Sequence, residues 1–148
     1  MFEPRAYAIE DAVFDGKFRH LRFRQNGMTV ADQRAIVRKI VDRVPGMVMP
    51  TVVRRRGALN LDSWARPKEN KIWMGPMAGP AMVCHEVAHL MTPRDDNSTP
   101  AHSREWESAY VTCVAIAISE YHAKRLAKAF EKARKVASDR VASRRRVR

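Results

Sequence analysis

The stretch Val83-Cys84-His85-Glu86-Val87-Ala88-His89-Leu90-Met91 constrains the fold more than any other part of this chain. Gly79 and Pro80 suit a helix entry and Pro93 forces an exit, so the spacing predicts a helix over Pro80 to Thr92. At that pitch Val83, Val87 and Leu90 share one side, while His85 and His89 project together from the other. Two imidazoles one turn apart can bind the same tetrahedral metal ion through their ring nitrogens. Glu86 points about 100° around the helix, where it can address a water beside the metal without being a ligand.

A catalytic metal needs more than two protein ligands. Twelve residues separate His89 from His102, most of them in the Pro- and Asp-rich loop "TPRDDNSTPA", and a loop of this length can turn the chain back on itself. His102 stands at the mouth of a second predicted helix, "SREWESAYVTCVAIAI", for which Ser103 or its neighbour is the expected cap. Three neutral histidines would leave a fourth corner for water, and the expected cofactor is one Zn2+ ion. Asp95, Asp96 and Glu105 are alternative third ligands. His20 and His122 have no such company and are expected to be surface or interface histidines.

The rest of the chain reads as a mixed fold. "MTVADQRAIVRKIVDRVPG" offers Thr29 as an N-cap with Asp32 three residues on, followed by Ile36, Val37, Ile40, Val41 and Val44 at helical spacing. "PTVVRRRG" is β-prone, "ALNLDSWA" alternates, "RPKEN" is turn chemistry, and "KIWMG" resumes an extended run. The prediction is an α+β fold in which a small, mostly antiparallel sheet packs on the histidine helix and on a long following helix. Trp106, Tyr110, Cys113, Val114, Ala117 and Tyr121 recur every three or four residues and are read as the face packed against the histidine helix.

With 148 residues, 45% of them hydrophobic, the chain can bury one core. It has no apolar run of about eighteen residues, and acids fill its amino terminus, so the expectation is a cytoplasmic protein without a membrane span. Cys84 and Cys113 lack CxxC spacing and are expected to be buried free thiols. The net charge of +12 is unevenly placed: residues 124–148 hold eleven Lys or Arg against Glu131 and Asp139. This divides the chain into a body, residues 1–123, and a basic helical extension and tail, residues 124–148. Such an extension attracts nucleic-acid phosphates through counterion release, and equally an acidic protein surface or an anionic membrane; as a solvated end it would have no partner at all.

The pattern "VCHEVAHLM…AHSREW" resembles the small metallohydrolases of actinobacteria and their phages, in which HELAH is followed by AHGPEF. It is also similar to the SprT-like zinc peptidases, in which HExxH is followed by a third histidine in an HGxxW-type motif. "RAYAIEDAV" and "VVRRRGALNLDSWA" extend the likeness to the smaller family over most of residues 5–115. The resemblance implies a minimal zincin-type metallopeptidase fold acting on a protein or peptide. His85, His89 and His102 would be the zinc ligands and Glu86 the general base. Ser103 stands where the family usually has glycine, and the four-cysteine ribbon of many SprT-like proteins is missing.

In proteins built this way a substrate backbone lies along an exposed sheet edge. "KIWMG" is the candidate edge, with Trp73 or Met74 lining the cleft; core packing is the other reading of Trp73. Candidates for steadying the developing oxyanion are Arg54, Arg104, Tyr110 and Tyr121. Glu105 or Asp95 could orient a histidine, and Glu105 reads equally well as a first-turn helix acid. Two classes of function remain: a zinc-dependent amide hydrolase acting near nucleic acid, and a non-catalytic zinc-stabilised module that binds nucleic acid through its basic extension.

Overall fold

The computed structural model describes residues 4–23, 27–54, 63–93 and 101–146. Six helices and three strands follow in the order α1 (Pro4–Val13), α2 (Arg19–Arg22), α3 (Val30–Val41), β1 (Thr51–Arg54), β2 (Trp64–Arg66), β3 (Lys71–Met74), α4 (Pro80–Met91), α5 (Arg104–Ala117) and α6 (Glu120–Arg146). The α+β class is as expected.

Local signals set most boundaries. Thr29 and Asp32 form a reciprocal capping box at the start of α3: the Asp32 N–H donates to Thr29 Oγ1 at 3.0 Å, and the Thr29 N–H donates to Asp32 Oδ2 at 3.3 Å. Gly79 caps α4 and Pro80 opens it, as the spacing predicts. Between β2 and β3 the "RPKEN" segment forms a short 3-10 turn over Pro67–Glu69, closed by Asn70 in the left-handed region at φ 45°. Asn tolerates that region better than most residues.

The sheet departs from the expected form. Its order is β1-β3-β2, with β1 parallel and β2 antiparallel to β3, so it is mixed rather than mostly antiparallel. β3 is the central strand, and "KIWMG" is therefore not an edge. Burial matches the placement: Ile72 and Met74 are fully buried, and β3, paired along both edges, is the most buried of the three strands. Met74 belongs to the core. Trp73 points to the other face, where its ring lies 5.7 Å from Trp64 and under the cations of Arg66 and Lys71. Part of "ALNLDSWA" lies outside the described residues.

α4 is the centre of the molecule. Its two faces do not separate into apolar and solvent sides, because every residue from Ala81 to Ala88 is buried. α5 packs most extensively against it, and α2, α3, β2 and β3 complete the enclosure. Cys84 and Cys113 are buried free thiols in this core, and burial pushes the Cys113 pKa up to about 12.

The helix after His102 is interrupted. α5 ends at Ala117, and Ser119 starts α6 by accepting a hydrogen bond from the His122 N–H at 3.3 Å. The interruption resets the helical phase, so Trp106, Tyr110, Cys113 and Val114 are buried as expected while Tyr121 is 58% exposed. His122 is buried against Phe14 and Phe18 instead of lying at the surface, whereas His20 is exposed. α6 runs unbroken through residues 123 and 124. Its buried residues are His122, Ala123, Leu126 and Phe130, an ion pair joins Arg134 to Glu107, and residues 135–146 are all exposed. Among the described residues no helix is long and apolar enough to cross a membrane.

Candidate metal centre

Two elements bring His85, His89 and His102 together. α4 supplies the first two, one turn apart, and the turn before α5 supplies the third. Ser103 then caps α5 by accepting the Trp106 N–H at 3.3 Å. Its φ of −68° and ψ of 173° are ordinary extended backbone, so this turn does not require glycine.

The ring nitrogens converge. His85 Nε2 lies 3.3 Å from His89 Nε2 and 3.2 Å from His102 Nε2, and one candidate ligand atom from each residue lies within 4.8 Å of the others. Two nitrogens each about 2.0–2.1 Å from a tetrahedral ion stand about 3.3–3.4 Å apart, so these separations fit a shared ion. Hydrogen bonding alone accounts for them poorly. His85 Nδ1 is committed to Glu10 Oε1 at 2.6 Å, so Nε2 has a single lone pair or a single proton to set against two other imidazoles. The residues present therefore fit a metal ion.

Glu10 on α1 is the carboxylate that orients His85, a role the sequence reading had offered to Glu105 or Asp95. It is fully buried, and α1 brings it there because Ala6, Ile9, Glu10 and Val13 form one buried stripe. Burial alone would raise the Glu10 pKa, but His85 and then Arg22 outweigh it and hold the carboxyl below its usual value. Burial likewise opposes charge on His85, and Glu10, followed by Glu86, overcomes it and raises the imidazole pKa. Arg22 Nε lies 3.6 Å from Glu10 Oε2 and its Nη1 donates to Asp11 at 2.7 Å. The buried Tyr110 hydroxyl approaches Glu10 without reaching hydrogen-bond geometry.

Arg22 depends on a glycine. The Gly79 N–H donates to the Arg22 carbonyl at 2.8 Å, and a Cβ at Gly79 would sit 2.5 Å from the Leu21 carbonyl oxygen. Absence of a side chain here lets α2 lie across the start of α4.

Aromatic rings shape the rest. Trp106, fully buried, contacts all three histidines, with centroid distances of 4.7 Å to His85, 5.3 Å to His89 and 4.3 Å to His102. Tyr7 on α1 stacks on His85 at 5.6 Å and meets His102 edge-on at 5.6 Å. His85 is buried, whereas His89, His102 and Tyr7 are half-buried, so the triad faces solvent on their side. Glu86 is 3% exposed and close enough for its charge to act on His85.

Other expected participants lie elsewhere. Arg104 and Glu105 are exposed in the first turn of α5, where hydrogen bonds from its own backbone N–H and from Ser103 hold the Glu105 pKa down. Glu105 is thus a helix-start acid. The Arg54 guanidinium bonds the Met28 carbonyl, and Tyr110 is buried behind His85, with ring centroids 5.6 Å apart. Asp95 and Asp96 lie outside the described residues. Sequence reasoning missed Glu10, Arg22 and Tyr7, although "RAYAIEDAV" holds the first and last of them.

Fold and site together define an α+β protein with a three-histidine centre able to hold one metal ion. No family model, curated protein or solved structure matches the chain.

Proposed function

We propose that the chain is a zinc-dependent peptidase of minimal zincin type. The observation that carries this reading is the pair of Nε2–Nε2 separations, 3.2 and 3.3 Å, beside the buried Glu86 carboxylate. Three imidazoles suit zinc, and catalytic zinc sites keep three protein ligands and one open position. Among the described residues the candidate ligand cluster contains these three side chains and no fourth. A structural staple would gain nothing from a carboxylate placed at Glu86.

Zinc held by His85, His89 and His102 would supply Lewis acidity, acidifying water and polarising a substrate carbonyl. Glu86 would take the proton as water adds to that carbonyl and return it to the departing amine. Glu10 keeps the Nδ1 proton of His85 in place, so that Nε2 presents its lone pair to the metal. Tyr7, on the solvent side of the triad, replaces Arg54, Arg104, Tyr110 and Tyr121 as the donor best placed to steady the carbonyl oxygen. With β3 in the centre, β2 is the edge strand that packs against α4, and an extended peptide would lie beside it.

The test is hydrolysis of a mixed, unfolded protein substrate by zinc-loaded protein and by its Glu86→Gln variant, with zinc content measured on both. The expected result is equal zinc in the two and a loss of cleavage in the variant of about 10²–10⁴-fold. Undiminished cleavage by Glu86→Gln, or none by the zinc-loaded wild type, contradicts the proposal.

A further inference from the structure

Away from the histidines, cations gather along α6 and on the turn beside its start. Lys124, Lys128, Lys132 and Lys135 follow at steps of four, four and three residues, so they fall on one side of α6, and all four are exposed. Where α6 passes the turn at Gly16–Phe18, this row meets aromatic rings. Lys17 Nζ lies 5.1 Å from the Phe18 ring centre, and Arg125 Cζ lies 5.1 Å from Phe18 and 5.7 Å from Tyr121. Tyr121 is exposed, with its ring 6.0 Å from Phe18. Further along, Arg140, Arg144, Arg145 and Arg146 are exposed, in a stretch of α6, residues 135–146, where every residue is exposed and the cations are spread around the helix. The acids of this surface are Asp15, Glu120, Glu131 and Asp139.

We infer that the surface from Lys17 along α6 docks the phosphate backbone of nucleic acid. Charge complementarity selects this partner. A helix lying in a membrane interface needs a broad face of large apolar residues. Residues 135–146 offer only Val136 and Val141, about 140° apart around the helix. A docking protein would need apolar anchors at an interface centre; residues 135–146 lack them, and Tyr121, the exposed ring at the other end, is flanked by Arg125 as a base-stacking ring would be.

The test uses the full-length, zinc-loaded protein and labelled DNA of about 20 nucleotides, as duplex and as single strand, with affinity read by anisotropy over a range of salt. The expected result is salt-sensitive binding whose log–log slope becomes shallower by about 2–3 in the K128Q/K132Q/K135Q variant. Affinity should fall at least about tenfold near 0.1 M salt in the same variant. Replacing Tyr121 by Ala should weaken only the single-strand arm if unpaired bases stack there, and neither arm if the duplex backbone is the ligand. An unchanged slope in the triple variant overturns the inference. So does binding to vesicles of anionic lipid with no binding to either DNA.

Discussion

From Ala81 to Ala88 the helix α4 is buried on every side, whereas from Lys135 to Arg146 the helix α6 is exposed on every side. In α4 each polar group needs a partner because desolvation is costly, and His85 has one in Glu10, which in turn faces Arg22. Along the end of α6, charge costs little in water and side chains can reorient, so position there is set by helix propensity and not by packing. A metal centre needs imidazoles held within fractions of an ångström, which the first region provides. A phosphate backbone needs charge and reach, which the second provides.

Glu10 is where the largest change is expected. Its replacement should weaken zinc binding by about 10–100-fold, with Glu10→Gln at the low end because it keeps an acceptor for His85 Nδ1, and Glu10→Ala at the high end. Competition against a chelator of known zinc affinity measures this, and unchanged affinity would separate Glu10 from the metal centre.

A paired substitution sharpens the contrast between the helices. Gly79→Ala forces its new Cβ against the Leu21 carbonyl at the start of α4 and should cost about 1–3 kcal/mol in denaturant unfolding. Ser138→Pro would locally break α6, yet it should change unfolding of the body by less than about 0.5 kcal/mol, because every residue from 135 to 146 is exposed. Equal losses in the two variants would mean that the end of α6 is part of the cooperative fold.

The smallest expected effect is on pH dependence. The folded pKa of His122 lies below the unfolded value near 6.5, so burial of the neutral ring contributes stability that is full above 6.5 and lost as pH falls through the folded pKa. Stability of the zinc-loaded protein at pH 7.5 and 5.5, compared with that of His122→Phe, isolates this contribution. The wild type should lose more than the variant on acidification, and an identical loss would remove His122 as the cause.

Features encoded locally were legible in the sequence. The limits of α4, the capping box at Thr29 and the convergence of His102 on the pair in α4 each follow from spacing within a few turns of chain. Features that depend on distant pairing were not. Glu10 and His85 are 75 residues apart, and an acid inside the buried stripe of α1 weakens the very periodicity that would have marked the helix. Alternation marks strands but not their order, so nothing local identifies β3, with its buried Ile72 and Met74, as the central one. Tyr121 shared a periodicity with Trp106 only on the assumption of one continuous helix, which the Ser119 cap interrupts.

The central claim, that His85, His89 and His102 bind one zinc ion and leave a corner open, is tested most directly by X-ray absorption on stoichiometrically loaded protein. Three imidazole nitrogens and one further light atom at about 2.0–2.1 Å are expected, with that fourth contribution displaced by a small zinc-binding inhibitor. Fewer than three imidazoles, a sulfur ligand, or a fourth protein ligand that no inhibitor displaces would contradict it.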